Sequence, residues 1–113
     1  MARVGPLAHK TASKYKITMK FAAIIEYLQD KTKIAEVRPV HRQYLAQLKA
    51  DGQLAASGPF TDDSGALIIY EAASKDDAEK LLRADPFHAN GIFLRWQIRP
   101  WNPVIANRDL FPA

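Results

Sequence analysis

Cysteine is absent from the 113 residues of this chain. Its absence excludes disulfides, thiol catalysis and cysteine-ligated metal centres, and it fits a reducing compartment, so we expect a cytoplasmic protein. No apolar run approaches the ~18–20 residues of a membrane span, and the N-terminus lacks the apolar core of a signal peptide. A glycine-rich phosphate loop and a dinucleotide fingerprint are also missing, so the sequence predicts no cofactor.

Acidic residues are missing from the first 20 positions, which carry five basic side chains. All 12 acidic residues lie in the rest of the chain, which is therefore close to neutral. A neutral body does not favour nucleic-acid binding. We interpret residues 1–19 as a basic N-terminal extension that lengthens the chain or packs on a partner subunit. Association of this extension with an anionic partner is the alternative.

Four strands are predicted in a single domain, which suits this length. Both faces of Lys20–Leu28 are largely apolar, as in an interior strand. Leu54–Ser57 and Ala66–Glu71 flank the turn-rich loop Gly58–Gly65 and predict a hairpin. The fourth strand, Gly91–Pro100, alternates apolar and polar residues in its second half, and its terminal proline is expected to end it.

Two helices are predicted between these strands. The first is expected to carry Pro39 in its first turn and to end before Gly52, which can adopt the left-handed conformation. The second begins after Ser74, a favourable N-cap, and stops near Ala84 because the residue before Pro86 disfavours helix.

The resulting order, β-α-β-β-α-β, predicts the ferredoxin-like α+β fold. Two helices would cover one face of a four-stranded antiparallel sheet. The other face would expose aromatic and aliphatic residues from the first and last strands, which is unusual in a soluble monomer. We therefore expect a homodimer that pairs these faces, with a higher oligomer as an alternative.

His41 is the main candidate for chemistry. In a helix, Leu45 and Leu48 follow it on the same face, so His41 should point to the interior or to a cleft beside it. Arg42 and Lys49 are expected to point largely to water. An imidazole held against apolar surface is a candidate acid or base, although a purely structural histidine has the same pattern.

Six short pieces of the chain, in this order, resemble the YciI (YCII-related) family. They are Arg38–His41, Gly52–Leu54, Ser57–Phe60, Gly65–Ile69, Ala84–Phe87 and Ile98–Trp101. The resemblance implies a YciI-like domain over residues 20–102, leaving residues 103–113 as a C-terminal tail. It also implies a dimeric α/β barrel with a histidine and an aspartate in an active-site cleft. One branch of the family resembles a dehydrochlorinase of chlorinated hydroxyhydroquinones.

The family's histidine corresponds to His41, and its aspartate corresponds best to Asp85. A carboxylate fixes the tautomer of a histidine and stabilises its protonated form. The resemblance therefore favours an enzyme that eliminates from, or isomerises, a small organic molecule with His41 as base or acid. A non-catalytic ligand-binding or interaction module is the alternative, in which Asp85 only ends its helix.

Substrate-binding candidates surround this pair in the sequence. Ser57 corresponds weakly to a family position, and the backbone at Gly58 and Pro59 could bind an oxyanion or form an ordinary turn. Arg38 could hold an anionic substrate or lie on the surface where the helix begins. The histidines lack the spacing of metal ligands, so no metal site is predicted.

Overall fold

The structure, a computed structural model, describes residues 18–112 and contains an antiparallel four-stranded sheet with helices on one face. Its strands are β1 (Met19–Tyr27), β2 (Leu54–Pro59), β3 (Gly65–Ala72) and β4 (Phe93–Trp101). Its helices are α1 (Lys31–Ala50), α2 (Lys75–Arg83) and the one-turn α3 (Pro86–Ala89), followed by a 3₁₀ turn at Arg108–Leu110. The strand order is β2-β3-β1-β4. This arrangement confirms the predicted α+β fold.

The core lies between the sheet and the helices. β1 pairs with both β3 and β4, and every second residue of it faces the helices and is buried. These residues are Phe21, Ala23, Ile25 and Tyr27. Apolar side chains from the helices, including Ile34, Leu48 and Leu82, complete the core. Burial of such side chains contributes roughly 1.5–3 kcal/mol each, which makes this layer the main source of stability.

The opposite face of the sheet is open in the single chain. Ile24 and Leu67 are paired across β1 and β3 and remain 45% and 39% exposed. The expectation that the last strand adds aromatic and aliphatic residues to this face holds only for Trp101. In the register with β1, β4 contributes Arg95, Gln97, Arg99 and Trp101. Ion pairs of Lys20 with Glu71 and of Arg95 with Glu26 flank the apolar centre.

The prediction for the start of α1 is also wrong, because the helix begins eight residues before Pro39. Asp30 caps it by accepting a hydrogen bond from the backbone N–H of Lys33 (3.0 Å), and Ile34 anchors its first turns in the core. Pro39 therefore lies inside the helix and cannot donate to the carbonyl of Ala35. The exposure of Ala35 leaves that carbonyl accessible to water.

The second helix ends as predicted, after Arg83, with Ser74 as its N-cap. The short helix α3 that follows it is not predicted by the sequence analysis. β4 also continues through Pro100 to Trp101, contrary to the expectation that Pro100 would end it. β4 is an edge strand, where a proline removes no hydrogen bond that the sheet needs.

Gly58 and Pro59 belong to β2 and not to the predicted loop, since they pair with Leu67 and Ala66 of β3. The connection between β2 and β3 is therefore shorter than expected. Gly65 begins β3 directly against β1, where a Cβ atom would lie 1.9 Å from the carbonyl oxygen of Ile25. Glycine is required there by close backbone contact.

The C-terminal tail is largely exposed, including Val104, Ile105, Leu110 and Phe111. Most of the basic N-terminal extension, residues 1–17, lies outside the described residues. None of the helices in the described part of the chain combines the length and apolar character needed to span a membrane.

Candidate active site

Asp85 is positioned by the break between α2 and α3. Its backbone is extended, and its side chain caps α3 by accepting a hydrogen bond from the backbone N–H of Phe87 (2.8 Å). Pro86 occupies the first turn of α3, where its missing donor has no consequence. The Asp85 side chain is 0% exposed, so this carboxyl needs polar partners inside the protein.

His41 is the second polar partner of that carboxyl. Its Nδ1 atom lies 2.7 Å from Oδ1 and 2.9 Å from Oδ2 of Asp85. A carboxylate accepts hydrogen bonds, so this geometry places the imidazole proton on Nδ1 and leaves Nε2 as the second ring nitrogen. Nε2 makes no hydrogen bond to the described part of the chain.

Aromatic rings fix the plane of the His41 imidazole. The Phe87 ring is stacked on it with a centroid distance of 3.8 Å and an interplanar angle of 3°. Phe93 meets it edge-on at 6.2 Å. The imidazole therefore has one orientation defined by a carboxylate at Nδ1 and by packing on its face.

A cavity of about 360 Å³ lies beside His41. The described residues that line it come from α1, from the β2–β3 hairpin and from the end of β1: Tyr27, Arg38, His41, Arg42, Leu45, Ala46, Lys49, Leu54, Ser57, Gly58, Pro59, Ala66 and Ile68. Its size is that of a site for a small organic molecule. His41 borders the cavity, whereas Asp85 does not line it.

Burial controls the ionisation of the nearby tyrosines. Removal from water raises the pKa of Tyr27 to about 12, partly offset by the positive charge of Arg38. Burial, assisted by the negative charge of Asp85, also raises the pKa of Tyr44 to about 12 and raises that of Tyr70 further. Tyr27, which lines the cavity, therefore stays protonated and neutral near pH 7.

The model of the YCII-related domain matches residues 19–102. The chain belongs to the YCII-related domain family. Protein YciI of Escherichia coli (strain CFT073) is 32% identical over 92 residues, covering 69% of this chain and 94% of that protein. The uncharacterized protein YjpA of Bacillus subtilis (strain 168) is 37% identical over 51 residues, which span 45% of this chain and 60% of YjpA.

A solved structure resembles this member of the YCII-related family in fold. It is 5-chloro-2-hydroxyhydroquinone dehydrochlorinase (TftG) from Burkholderia phenoliruptrix AC1100, in complex with 2,5-dihydroxybenzoquinone. The TM-score is 0.65 and the sequence identity is 26%, over 74% of this chain and 94% of the dehydrochlorinase. The relative therefore shares the architecture and binds a small molecule.

The predicted substrate-binding residues of this YCII-related domain all line the cavity. Ser57, Gly58 and Pro59 contribute one wall through β2. Because Gly58 and Pro59 are strand residues, and Pro59 has no backbone N–H, they do not form the oxyanion-binding turn considered from the sequence. Arg38 also borders the cavity, but its guanidinium donates to the carboxylate of Asp63 at 2.6 Å.

The sequence does not identify several residues that the structure places at the site. Arg42 and Lys49, expected to point largely to water, are exposed but also line the cavity. The sequence places Tyr27 only in a strand and Phe87 only in a family motif. The helical spacing of Arg38, Arg42 and Lys49 predicts that they lie on one face of the helix. No sequence pattern shows which part of the protein that face borders.

Among residues 18–112, no group of three or more metal-binding side chains comes together in a way that could hold a metal ion.

Proposed function

We propose that this YCII-related domain is a small-molecule enzyme that uses His41 as general base and acid, with Asp85 orienting it. The observation that carries the proposal is the buried contact of His41 Nδ1 with both oxygens of Asp85 beside a cavity that His41 lines. A carboxylate at Nδ1 makes Nε2 the basic nitrogen and stabilises the imidazolium that forms when Nε2 takes a proton.

The proposed reaction is an elimination or an isomerisation. In a dehydrochlorination, Nε2 accepts a proton from the substrate, the released electron pair forms a new double bond, and chloride leaves with its bonding pair. In an isomerisation, Nε2 returns the proton to a different atom of the same molecule. General acid–base assistance of this type contributes about 10²–10⁴-fold to the rate.

Two further features support the proposal. Phe87 covers one face of the imidazole, and an aromatic face favours a cation stacked on it. The dehydrochlorinase with a similar fold was solved with a quinone of the size that the 360 Å³ cavity could accept. Its chlorinated hydroquinone is therefore the first substrate to test.

The test measures chloride release from 5-chloro-2-hydroxyhydroquinone by the wild-type protein, by His41→Ala and by Asp85→Asn. We expect His41→Ala to lose at least about 10²-fold in kcat and Asp85→Asn to lose less. His88→Ala is the matched control, since His88 packs against Trp96 and does not line the cavity. Equal rates for the wild type and His41→Ala would refute the proposed role.

A non-catalytic ligand-binding module in the same cavity is the alternative function. It predicts stoichiometric ligand binding without turnover. Measuring binding and chloride release on the same protein separates the two proposals. A binding module holds 5-chloro-2-hydroxyhydroquinone stoichiometrically and releases no chloride, whereas the enzyme releases chloride at a rate that His41→Ala lowers.

We further propose that the protein is a homodimer joined through the open sheet face, as a dimeric α/β barrel. Ile24 and Leu67 form an exposed apolar centre on that face, and oppositely charged side chains flank it. We expect Ile24→Glu to shift the sedimentation coefficient from dimer to monomer. Val40→Glu, which changes an equally exposed apolar residue on α1, is the control and should sediment like the wild type.

A further inference from the structure

One stripe of α1 provides the positive charge of the cavity. At 100° per residue, Arg38, Arg42 and Lys49 fall within a sector of about 40° on the helix surface. All three side chains line the cavity, and Leu45 lies on the same stripe between them. The helix thus presents three permanent cations to one small volume, next to His41.

Among residues 18–112, none of those that line this cavity carries a carboxylate. Two acids contact residues of the cavity wall, and both are already engaged, since Asp63 pairs with Arg38 and Asp85 binds His41. Arg42 and Lys49, by contrast, form no ion pair with any residue in the range 18–112. Two positive charges at the cavity therefore lack a protein counterion in the described structure.

The rest of the cavity wall is mostly apolar. Leu45, Leu54 and Ile68 border it, and its polar members are Ser57, His41 and the neutral Tyr27. Such a wall suits a flat hydrocarbon body, and the cations suit a negative group at one side of that body. An anionic ligand would gain the attraction of both cations, whereas a neutral apolar ligand would leave them to water and gain nothing from them.

We propose that this cavity selects a small anion, an ionised phenol or carboxylate on an apolar ring, and that Arg42 and Lys49 determine this specificity. Arg38 is not assigned this part because Asp63 already neutralises it. The inference rests on the proposed function only in placing the substrate in this cavity. It concerns binding and does not require His41 to transfer a proton.

The test compares two probes of nearly the same shape by titration calorimetry. 2,5-Dihydroxybenzoquinone is ionised at neutral pH, whereas its dimethyl ether, 2,5-dimethoxybenzoquinone, is neutral. We expect the wild type to bind the anion more tightly than the ether. Arg42→Gln and Lys49→Gln should each lower the affinity for the anion about 3–10-fold. Neither substitution should change the binding of the ether. Added salt should lower the affinity of the wild type for the anion more than that of the variant that combines Arg42→Gln with Lys49→Gln.

Lys33→Gln is the matched control, because Lys33 is a cation of the same helix that does not line the cavity. It should leave both affinities unchanged. The proposal fails if the wild type shows no preference for the anion, or if Arg42→Gln and Lys49→Gln act no differently from Lys33→Gln. Circular dichroism of each variant shows whether it retains the fold.

Repeating the titration in His41→Gln separates this inference from the catalytic proposal. Loss of turnover in that variant with an unchanged preference for the anion supports both proposals. Unchanged turnover with a retained preference refutes only the role of His41. Lost turnover in His41→Gln, together with a wild type that binds the two probes alike, refutes only the anion specificity.

Discussion

Phe87 stacks on His41 and also helps to hold the carboxylate that binds it. The two rings lie 3.8 Å apart, and the backbone N–H of Phe87 donates to Asp85 at 2.8 Å. One turn of helix, Pro86–Ala89, thereby supplies both the packing and the hydrogen-bond geometry of the imidazole. Asp85, Pro86 and Phe87 thus act as one structural unit that orients His41.

Removal of the Asp85 carboxylate should destabilise the protein, because the Nδ1–H of His41 and the backbone N–H of Phe87 would lose their acceptor. We expect Asp85→Ala to lower the free energy of unfolding by about 2–5 kcal/mol and Asp85→Asn by less, since its amide oxygen can still accept from Phe87. Urea denaturation followed by circular dichroism measures this. The control is Asp62→Ala, an exposed acid that accepts from the backbone of Ser64. A loss for Asp85→Ala no larger than for this control contradicts the prediction.

Tyr70, which is buried, and Tyr44, which is partly buried, should respond in opposite ways to loss of the hydroxyl. The Tyr70 hydroxyl is buried without a hydrogen-bond partner in the described structure, whereas that of Tyr44 donates to the carbonyl of Leu81 at 2.6 Å. We expect Tyr70→Phe to raise the free energy of unfolding by up to about 1 kcal/mol and Tyr44→Phe to lower it by about 1 kcal/mol. Thermal and urea unfolding of the two variants check this, and a clear loss for Tyr70→Phe would show that its hydroxyl has a partner.

Two glycines in the hairpin should differ in their tolerance of alanine. A Cβ atom at Gly65 would meet the backbone of Ile25 at 1.9 Å, while one at Gly58 would meet no atom within 4 Å. Gly65→Ala must push β3 away from β1 and should reduce stability by about 1–3 kcal/mol or more. Gly58→Ala should be neutral or slightly stabilising, because alanine reduces the freedom of the unfolded chain. Equal melting temperatures for the two variants would contradict this contrast.

Alkaline pH should destabilise the fold through its buried tyrosines. The pKa values of Tyr27 and Tyr44 are raised from about 10 to about 12, so the unfolded chain loses these protons at lower pH than the folded protein. Their contribution to the free energy of unfolding is fully present below pH 10 and is lost as the pH rises towards 12. For Tyr27 this loss is up to about 2 kcal/mol. Tyrosinate absorbance during titration of folded and denatured protein measures the difference. Superimposable titration curves would contradict it.

Local signals in the sequence identify several elements. The apolar strand pattern of residues 20–28, the Ser74 cap and the residue before Pro86 all act within a few positions, and the structure has a strand, a helix cap and a helix end there. His41 is buried on the face of α1 that Leu45 and Leu48 predict. Even here a local signal can mislead, since the position of Pro39 suggested a helix start that Asp30 and Ile34 overrule.

Contacts between residues that are distant in the sequence follow from how the elements pack. His41 and Asp85 are 44 positions apart, and their contact exists because α1 packs against α3 on the same face of the sheet. The cavity beside Arg42 and Lys49 exists because the β2–β3 hairpin lies opposite α1. Periodicity reports which side of one element is buried. What that side touches depends on how separate elements pack, and this depends on long-range contacts that no local window of sequence contains.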